Sequence, residues 1–310
     1  MPLKTGPVIA VVGGANMDIY AHASVALRAG DSTPGWVRYA PGGVGRNIAE
    51  NLVRLGHTVQ LFSAVGDDLF GRSLLDAGQR VGLDMQHVLL VPGANTASYL
   101  SVHGPDGDTA AAVNDMAVLD VLDAVALQTK WHALNAAAMW VVDTNLSHAA
   151  LAWLMDNAQG KPVVTEAVSV AKCTKLLPYL NRLHLLKLNG MEATALCNTQ
   201  VTTVQQALLA AQTLQARGVK QVVVSLGAQG AVWADAMGCG HIVATPVPVV
   251  NTAGAGDALL SGVVHGITLG RSLADSVRMG MGMACAERTL GVPFANCPDL
   301  CPADLDFLSH

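Results

Sequence analysis

Short runs of β-branched residues alternate along this chain with stretches of helical period. Val8 to Val12 precedes a helical pattern from Asn47 to Leu55, an apolar run from Val59 to Gly66 and a second helical pattern from Leu69 to Val81. The rhythm continues with candidate strands at Met139 to Asp143, Pro162 to Thr165, Arg182 to Leu188 and Gln221 to Gly227, and with helical stretches at Ala149 to Ala158 and Val204 to Arg217. Strand, helix, strand, helix is the pattern of a parallel sheet covered on both faces, and near-continuous apolar strands are expected when neither face meets water. The fold class is therefore α/β.

Two segments break the rhythm. From about residue 17 to 40, and again from about 94 to 116, side chains alternate with period two and no helix intervenes. These segments predict antiparallel strands of a small subsidiary β-sheet, placed as a lid over the ligand crevice beyond the strand ends.

Composition narrows the function classes. Of 310 residues, 51% are hydrophobic and 13% charged, which excludes a disordered chain. Apolar runs are soon broken by charged or turn residues, and the segment Val8 to Val12 is too short for a secretory signal, so a cytoplasmic protein with no membrane partner is expected. The net charge of −5, from 18 basic and 23 acidic residues without a basic run, disfavours polymeric nucleic acid. The 6 cysteines include no CxxC pair and are read as reduced thiols.

The segment from Val247 to Gly270 reads as a strand end, a glycine-rich turn and a helix whose Leu259, Leu260, Val263, Val264 and Ile267 face a core. Gly254 and Gly256 allow close backbone approach, and the N–H groups of Gly254, Ala255 and Gly256 at a helix start attract an anion. Asp257 stands at the same place. It would favour the helix dipole, and it could equally take a hydroxyl proton during phosphoryl transfer. No G-x-x-x-x-G-K-[ST] sequence occurs, so a nucleotide would not be held by a Walker A loop.

Asn16 and Asp18 lie just beyond the first strand, on one side of an extended chain, where they could grip a vicinal diol or simply stabilise a turn. Gly42, Gly43 and Gly45 precede a helix with Asn47 in its first turn. Asn189 and Glu192 have the spacing of a capping box, and also of residues that could organise a hydrated Mg²⁺. Ser225, Gly227 and Gly230 form a turn between two strands.

These segments, from Gly42 to Asn47, Asn189 to Glu192, Ser225 to Gly230 and Asn251 to Asp257, resemble in order and separation the ribokinase-like (PfkB) family of sugar and nucleoside kinases. The likeness covers essentially the whole chain, residues 1–310, which implies one kinase domain of three-layer α/β/α form with a lid. Within the family, the stretches Gly30 to Leu52, Ser63 to Leu75, Val91 to Val102 and Val168 to Cys173 are similar to the bacterial pseudouridine kinases.

The resemblance implies ATP and Mg²⁺ as cofactors, a nucleoside or sugar acceptor, and a homodimer through the lid. It also implies roles: Asp257 as base on the 5′-hydroxyl, with the amides of Ala255, Gly256 and Asp257 as anion hole. Asn16, Asp18, Gly42, Gly43 and Asn47 would surround the ribose. Lys187, Asn189, Ser225, Gly227 and Gly230 would line the ATP side, with Asn189 and Glu192 near the metal. Ser98, Asn114, Asp115 and Lys172 are candidates for reading the base. Asn251 and Ala253 depart from the acidic residue and threonine with which many relatives bind a monovalent cation, which leaves K⁺ activation doubtful, and Glu166-Ala167 stands where close relatives carry Asp-Pro.

Overall fold

The computed structural model describes residues 6–246 and 254–290. In chain order the first half runs β1 (Val8–Val12), β2 (Asn16–Ala23), β3 (Gly35–Gly42), α1 (Val44–Arg54), β4 (Thr58–Gly66), α2 (Leu69–Val81), β5 (Val88–Val91), β6 (Ser98–His103) and β7 (Thr109–Asp115). It continues through α3 (Ala124–Thr129), α4 (Trp131–Ala136), β8 (Met139–Asp143), α5 (His148–Asn157), β9 (Val163–Glu166), α6 (Val170–Cys173), β10 (Leu185–Asn189), α7 (Gly190–Cys197) and α8 (Val204–Ala216). The last part holds β11 (Gln221–Ser225), β12 (Ala231–Asp235), β13 (Gly238–Ile242), α9 (Ala255–Thr268) and α10 (Leu273–Leu290).

Among the described residues the main sheet has 9 strands in the order β13-β12-β11-β10-β9-β8-β1-β4-β5. It is parallel from β5 to β11, and only β12 and β13 run antiparallel to their neighbours. Alternate residues of each strand enter different cores. Ala10 and Val12 of β1 pack with Trp140, Val142 and the face covered by α5 and α8, whereas Ile9 and Val11 join Leu61, Val141 and the face covered by α1 and α9. That division is the three-layer arrangement expected from strands apolar on both sides.

Helix boundaries follow local chemistry. The Asp68 side chain accepts from the Gly71 amide at the start of α2, and Gly82 ends it at φ 83, a left-handed conformation that glycine adopts without a Cβ clash. Asn189 and Glu192 form a reciprocal capping box on α7. The expected strand from Arg182 starts only at Leu185, because Thr174–Arg182 is wound as a 3-10 helix with Pro178 inside it. Strands β5 and β13 and helices α3 and α4 did not stand out in the sequence.

A second sheet, of 4 strands in the order β3-β2-β6-β7, is built from the two period-two segments. It is antiparallel at β2/β3 and β6/β7 and parallel at β2/β6. The stretch from β1 to β2 carries the chain directly from the main sheet into this lid, so residues 13–18 lie at their junction.

Candidate active site

The segments singled out in the sequence meet at the carboxyl ends of the parallel strands. Gly13 to Asp18 follow β1, Asp143 ends β8, Glu166 ends β9, Asn189 ends β10 and Ser225 ends β11. The chain order places β8 and β4 on opposite sides of β1, and that switch point opens the crevice in which open α/β sheets hold ligands.

Helix α9 begins at Gly254, whose φ of 83 turns the chain into the helix. The first amides of α9, from Ala255 to Asp257, have no intrahelical acceptor by helix geometry and lie at the positive end of the macrodipole. The Lys187 ammonium crowds this turn: a Cβ on Gly256 would lie 2.6 Å from Lys187 Nζ. Ser225, Gly227, Gly230, Ala255 and Gly256 line one cavity of about 190 Å³, closed by Leu259, Met281, Ala284 and Cys285 from α9 and α10. The turn and the helix start thus share one pocket, with an apolar wall from α9 and α10.

Asp257 is 8% exposed, and its Oδ2 accepts from Asn47 Nδ2 at 2.9 Å. Burial pushes its carboxyl up to about 7, against the Asn47 hydrogen bond and the Lys187 charge, with Asp143 and Asp18 adding to the rise. A carboxyl that titrates near neutrality can exchange a proton with a hydroxyl. Asn47 is itself aimed by Arg46, whose Nη1 donates to Asn47 Oδ1 at 3.1 Å and to the Pro41 carbonyl at 2.9 Å. Arg46 is buried and ion-paired with Glu50, which also holds Arg54 at 2.9 Å. This Arg-Glu-Arg row was missed; its only signal was three charges at i, i+4 spacing in a helix otherwise facing a core.

Asn16 Nδ2 donates to Asp18 Oδ1 at 2.6 Å, and Tyr20 OH donates to Asp18 Oδ2 at 3.4 Å. Burial raises the Asp18 carboxyl, opposed by these bonds and by the Arg46 charge. Gly42 is required by this carboxylate, which a Cβ there would overlap, and a Cβ on Gly43, which sits at φ 100, would lie 2.7 Å from Ala15 Cα. Both glycines thus serve the close packing of the Asn16–Asp18 segment against the start of α1.

Lys187 is paired with Glu166 at 2.9 Å, both nearly fully buried. Burial alone would lower the ammonium; the carboxylates of Glu166, Glu192 and Asp257 hold it above its ordinary range. Burial likewise pushes Glu166 up to about 8, Lys187 opposing and Asp257 and Glu192 adding. Glu166 Oε2 has no hydrogen-bond partner in its buried position. Glu166 belongs to the charged cluster around the helix start, although in the sequence it registered only as a departure from Asp-Pro.

The lid candidates divide. Residues paired across a sheet share a face, and Asp18 pairs with Tyr99, which pairs with Asn114. Asn114 therefore lies on the Asp18 face, together with Tyr20, Tyr99 and Ser101. Ser98 and Asp115 pair with each other and with Met17 on the opposite face, and Asp115 Oδ1 accepts from the Ala117 amide. Period-two alternation puts neighbours on opposite sides, so the adjacent pair Asn114-Asp115 could not both face the crevice. Lys172 is tied to Asn145 Oδ1 at 2.6 Å, beyond the end of β8.

Asn189 and Glu192 are in contact, but their oxygens are already engaged: Glu192 Oε2 accepts the Asn189 amide at 2.7 Å and Oε1 accepts Asn189 Nδ2 at 2.9 Å. Among the described residues no group of three or more His, Cys, Asp and Glu could hold a metal ion, and no helix is long and apolar enough to cross a membrane. Cys173, Cys197 and Cys239 are free thiols; Cys297 and Cys301 lie outside the described residues, as do Asn251 and Ala253. His265 meets His57 at 2.8 Å, on the helical layer and apart from Asp257.

A helix start beside a buried carboxyl, at the switch point of a parallel sheet and under a β lid, is an arrangement that suits movement of a phosphoryl group to an alcohol. Residues 7–291 match the pfkB family carbohydrate kinase, and the chain belongs to that family: it is a phosphotransferase with an alcohol acceptor, acting on a sugar or nucleoside. It is 36% identical over 298 residues to the pseudouridine kinase of Escherichia coli (strain K12), covering 96% of this chain and 95% of that one. It is 28% identical to the guanosine-inosine kinase of Exiguobacterium acetylicum, covering 89% and 92% of the two chains. The structure of Arabidopsis thaliana ribokinase complexed with ribose and ATP shares the fold at a TM-score of 0.88 and 20% identity, over 98% of this chain and 99% of that one.

Proposed function

We propose that this chain is an ATP-dependent kinase that phosphorylates the 5′-hydroxyl of pseudouridine, yielding pseudouridine 5′-phosphate. The contact that carries the catalytic half is Asn47 to Asp257, which holds a carboxyl of near-neutral pKa at the first turn of α9, beside the amides that would receive phosphate. The substrate half is supported by the likeness to the Escherichia coli enzyme along nearly the whole chain.

In this reading Asn16 and Asp18 hold the ribose diol and Asp257 takes the 5′-hydroxyl proton as that oxygen attacks the γ-phosphorus in line. The bond to the bridging oxygen breaks and ADP leaves. The amides of Ala255, Gly256 and Asp257, with the Lys187 ammonium, face the charge that develops on the transferring group. Bound Mg²⁺ would neutralise the phosphate oxygens of ATP. Asn189 and Glu192 fit it only through water, because their oxygens are engaged in the capping box, and a Mg²⁺ that keeps its waters suits such a site.

Asn114, with Tyr99 and Ser101 beside it, would read the base: the carbonyl of an Asn side chain can accept from the extra ring N–H that pseudouridine offers where uridine has its glycosidic nitrogen. The lid sheet also leaves β3 and β7 as edges, with Val37, Tyr39 and Val113 exposed, and we place the homodimer contact there. Sedimentation at micromolar concentration tests it; a monomer refutes it.

The test of the activity is ATP consumption with pseudouridine, uridine, inosine, adenosine and ribose in parallel, with and without K⁺. Preference for pseudouridine is expected. Preference for inosine or adenosine would favour the second reading, which the guanosine-inosine kinase relative supports, and ribose a furanose kinase. No turnover on any acceptor, with tight nucleoside binding, would mean a non-catalytic sensor.

A further inference from the structure

Asp143 ends β8, the strand beside β1 at the switch point, and it is 1% exposed. Its carboxylate accepts three backbone amides from three segments. Oδ2 takes Gly14 at 2.8 Å and Gly45 at 2.9 Å, and Oδ1 takes Asn145 at 2.8 Å. Gly14 leads into Asn16 and Asp18. Gly45 lies in the first turn of α1, just before Arg46 and Asn47, and Asn145 accepts from Lys172. Gly13 packs on the carboxylate so closely that a Cβ there would overlap it, and a Cβ on Gly45 would meet the Gly13 backbone at 2.9 Å.

One side chain from the main sheet therefore fixes both segments that carry the acceptor-binding groups. The separation of Asn16 and Asp18 from the Asn47–Asp257 pair depends on where Gly14 and Gly45 sit, and both are bonded to the same oxygen. With its oxygens engaged and its surface buried, Asp143 is not available to touch a ligand itself.

We infer that Asp143 is a positioning residue for the transfer, acting through the Gly14 and Gly45 amides to hold the loop after β1 and the start of α1 at the spacing the acceptor needs. This rests on the acceptor site proposed above. An asparagine at this position keeps the volume but turns an N–H donor toward amide donors, so at least one of the three bonds is lost. Gly13→Ala displaces the carboxylate without removing it.

The experiment is steady-state kinetics of the purified full chain as Asp143→Asn and as Gly13→Ala, with Asp257→Asn alongside, varying ATP and the acceptor that the parent phosphorylates fastest. We expect both Asp143→Asn and Gly13→Ala to raise the acceptor KM and lower its kcat/KM roughly 100-fold, with the ATP KM within about twofold of the parent, since small misplacements are costly only where groups must align. A purely structural role would reduce the active fraction, lowering kcat with both KM values unchanged. That result, equal rises in both KM values, or parent-like kinetics in the two variants while Asp257→Asn is inactive, overturns the inference and leaves the acceptor site standing. Parent-like turnover in Asp257→Asn removes the site assignment and the inference with it.

Discussion

Replacing Asn47 by alanine should move the pH profile in a direction and by an amount that the structure specifies. Asp257 titrates at about 7, and the 2.9 Å bond from Asn47 Nδ2 is the first of the interactions that hold it down against burial. A hydrogen bond to a buried charged group contributes about 1.5–3 kcal/mol, and one pKa unit corresponds to about 1.36 kcal/mol, so the carboxyl should rise by about one to two units. A base works only when ionised. The acid limb of kcat/KM, which reports the free enzyme, should therefore shift from near 7 to between about 8 and 9. At pH 7 the ionised fraction falls from half to between roughly one-tenth and one-hundredth, a rate loss of roughly 5- to 50-fold from this cause alone. Loss of a substrate contact would lower the rate at every pH, so the midpoint of the limb is the discriminating quantity. The assay is coupled ADP release from pH 5.5 to 10 at subsaturating acceptor. A limb that stays near 7, or moves down, would refute the assignment of Asp257 as the titrating base governed by Asn47.

Asp257→Asn should lower kcat roughly 10²- to 10⁴-fold with little change in acceptor KM, measured by initial rates, because proton transfer belongs to the transition state. The same variant should melt at a higher temperature than the parent at pH 8. The folded carboxyl, raised to about 7 from 3.8, binds its proton more tightly than the unfolded chain does, so it favours folding below 3.8 and loses that contribution as pH rises through about 7; calorimetry should show the variant's advantage shrink as pH is lowered through this window. Gly256→Ala should push the Lys187 ammonium from the helix start and reduce turnover roughly 10- to 100-fold with the acceptor KM unchanged, by the same kinetics. Glu50→Ala strands the buried Arg46 charge and should cost about 3–5 kcal/mol in urea unfolding, since an unpaired buried ion is left behind.

The local grammar of this chain determined a great deal. β-Branched runs and helical periods specify strands and helices one segment at a time, and α2 spans the expected Leu69–Val81 because Asp68 and Gly82 carry start and stop chemistry within its own sequence. Glycine before a helix start, with an acid in the first turn, is likewise a local pattern, and this made the start of α9, with Asp257 in its first turn, readable without coordinates. The lid was readable as period-two segments, but which side of each strand meets the crevice was not. That depends on register between strands far apart in the chain, and register puts Asn114 with Asp18 and turns Ser98 and Asp115 away. The same dependence on distant segments hid Asp143 and Glu166. Each is an ordinary charged residue in its own segment, and its meaning arises from amides and charges contributed by other parts of the chain: Gly14 and Gly45 for Asp143, Lys187 for Glu166. Periodicity and turn chemistry act between near neighbours and are written in sequence; pKa values, buried ion pairs and the spacing of a site depend on distances through space, which only the folded chain defines.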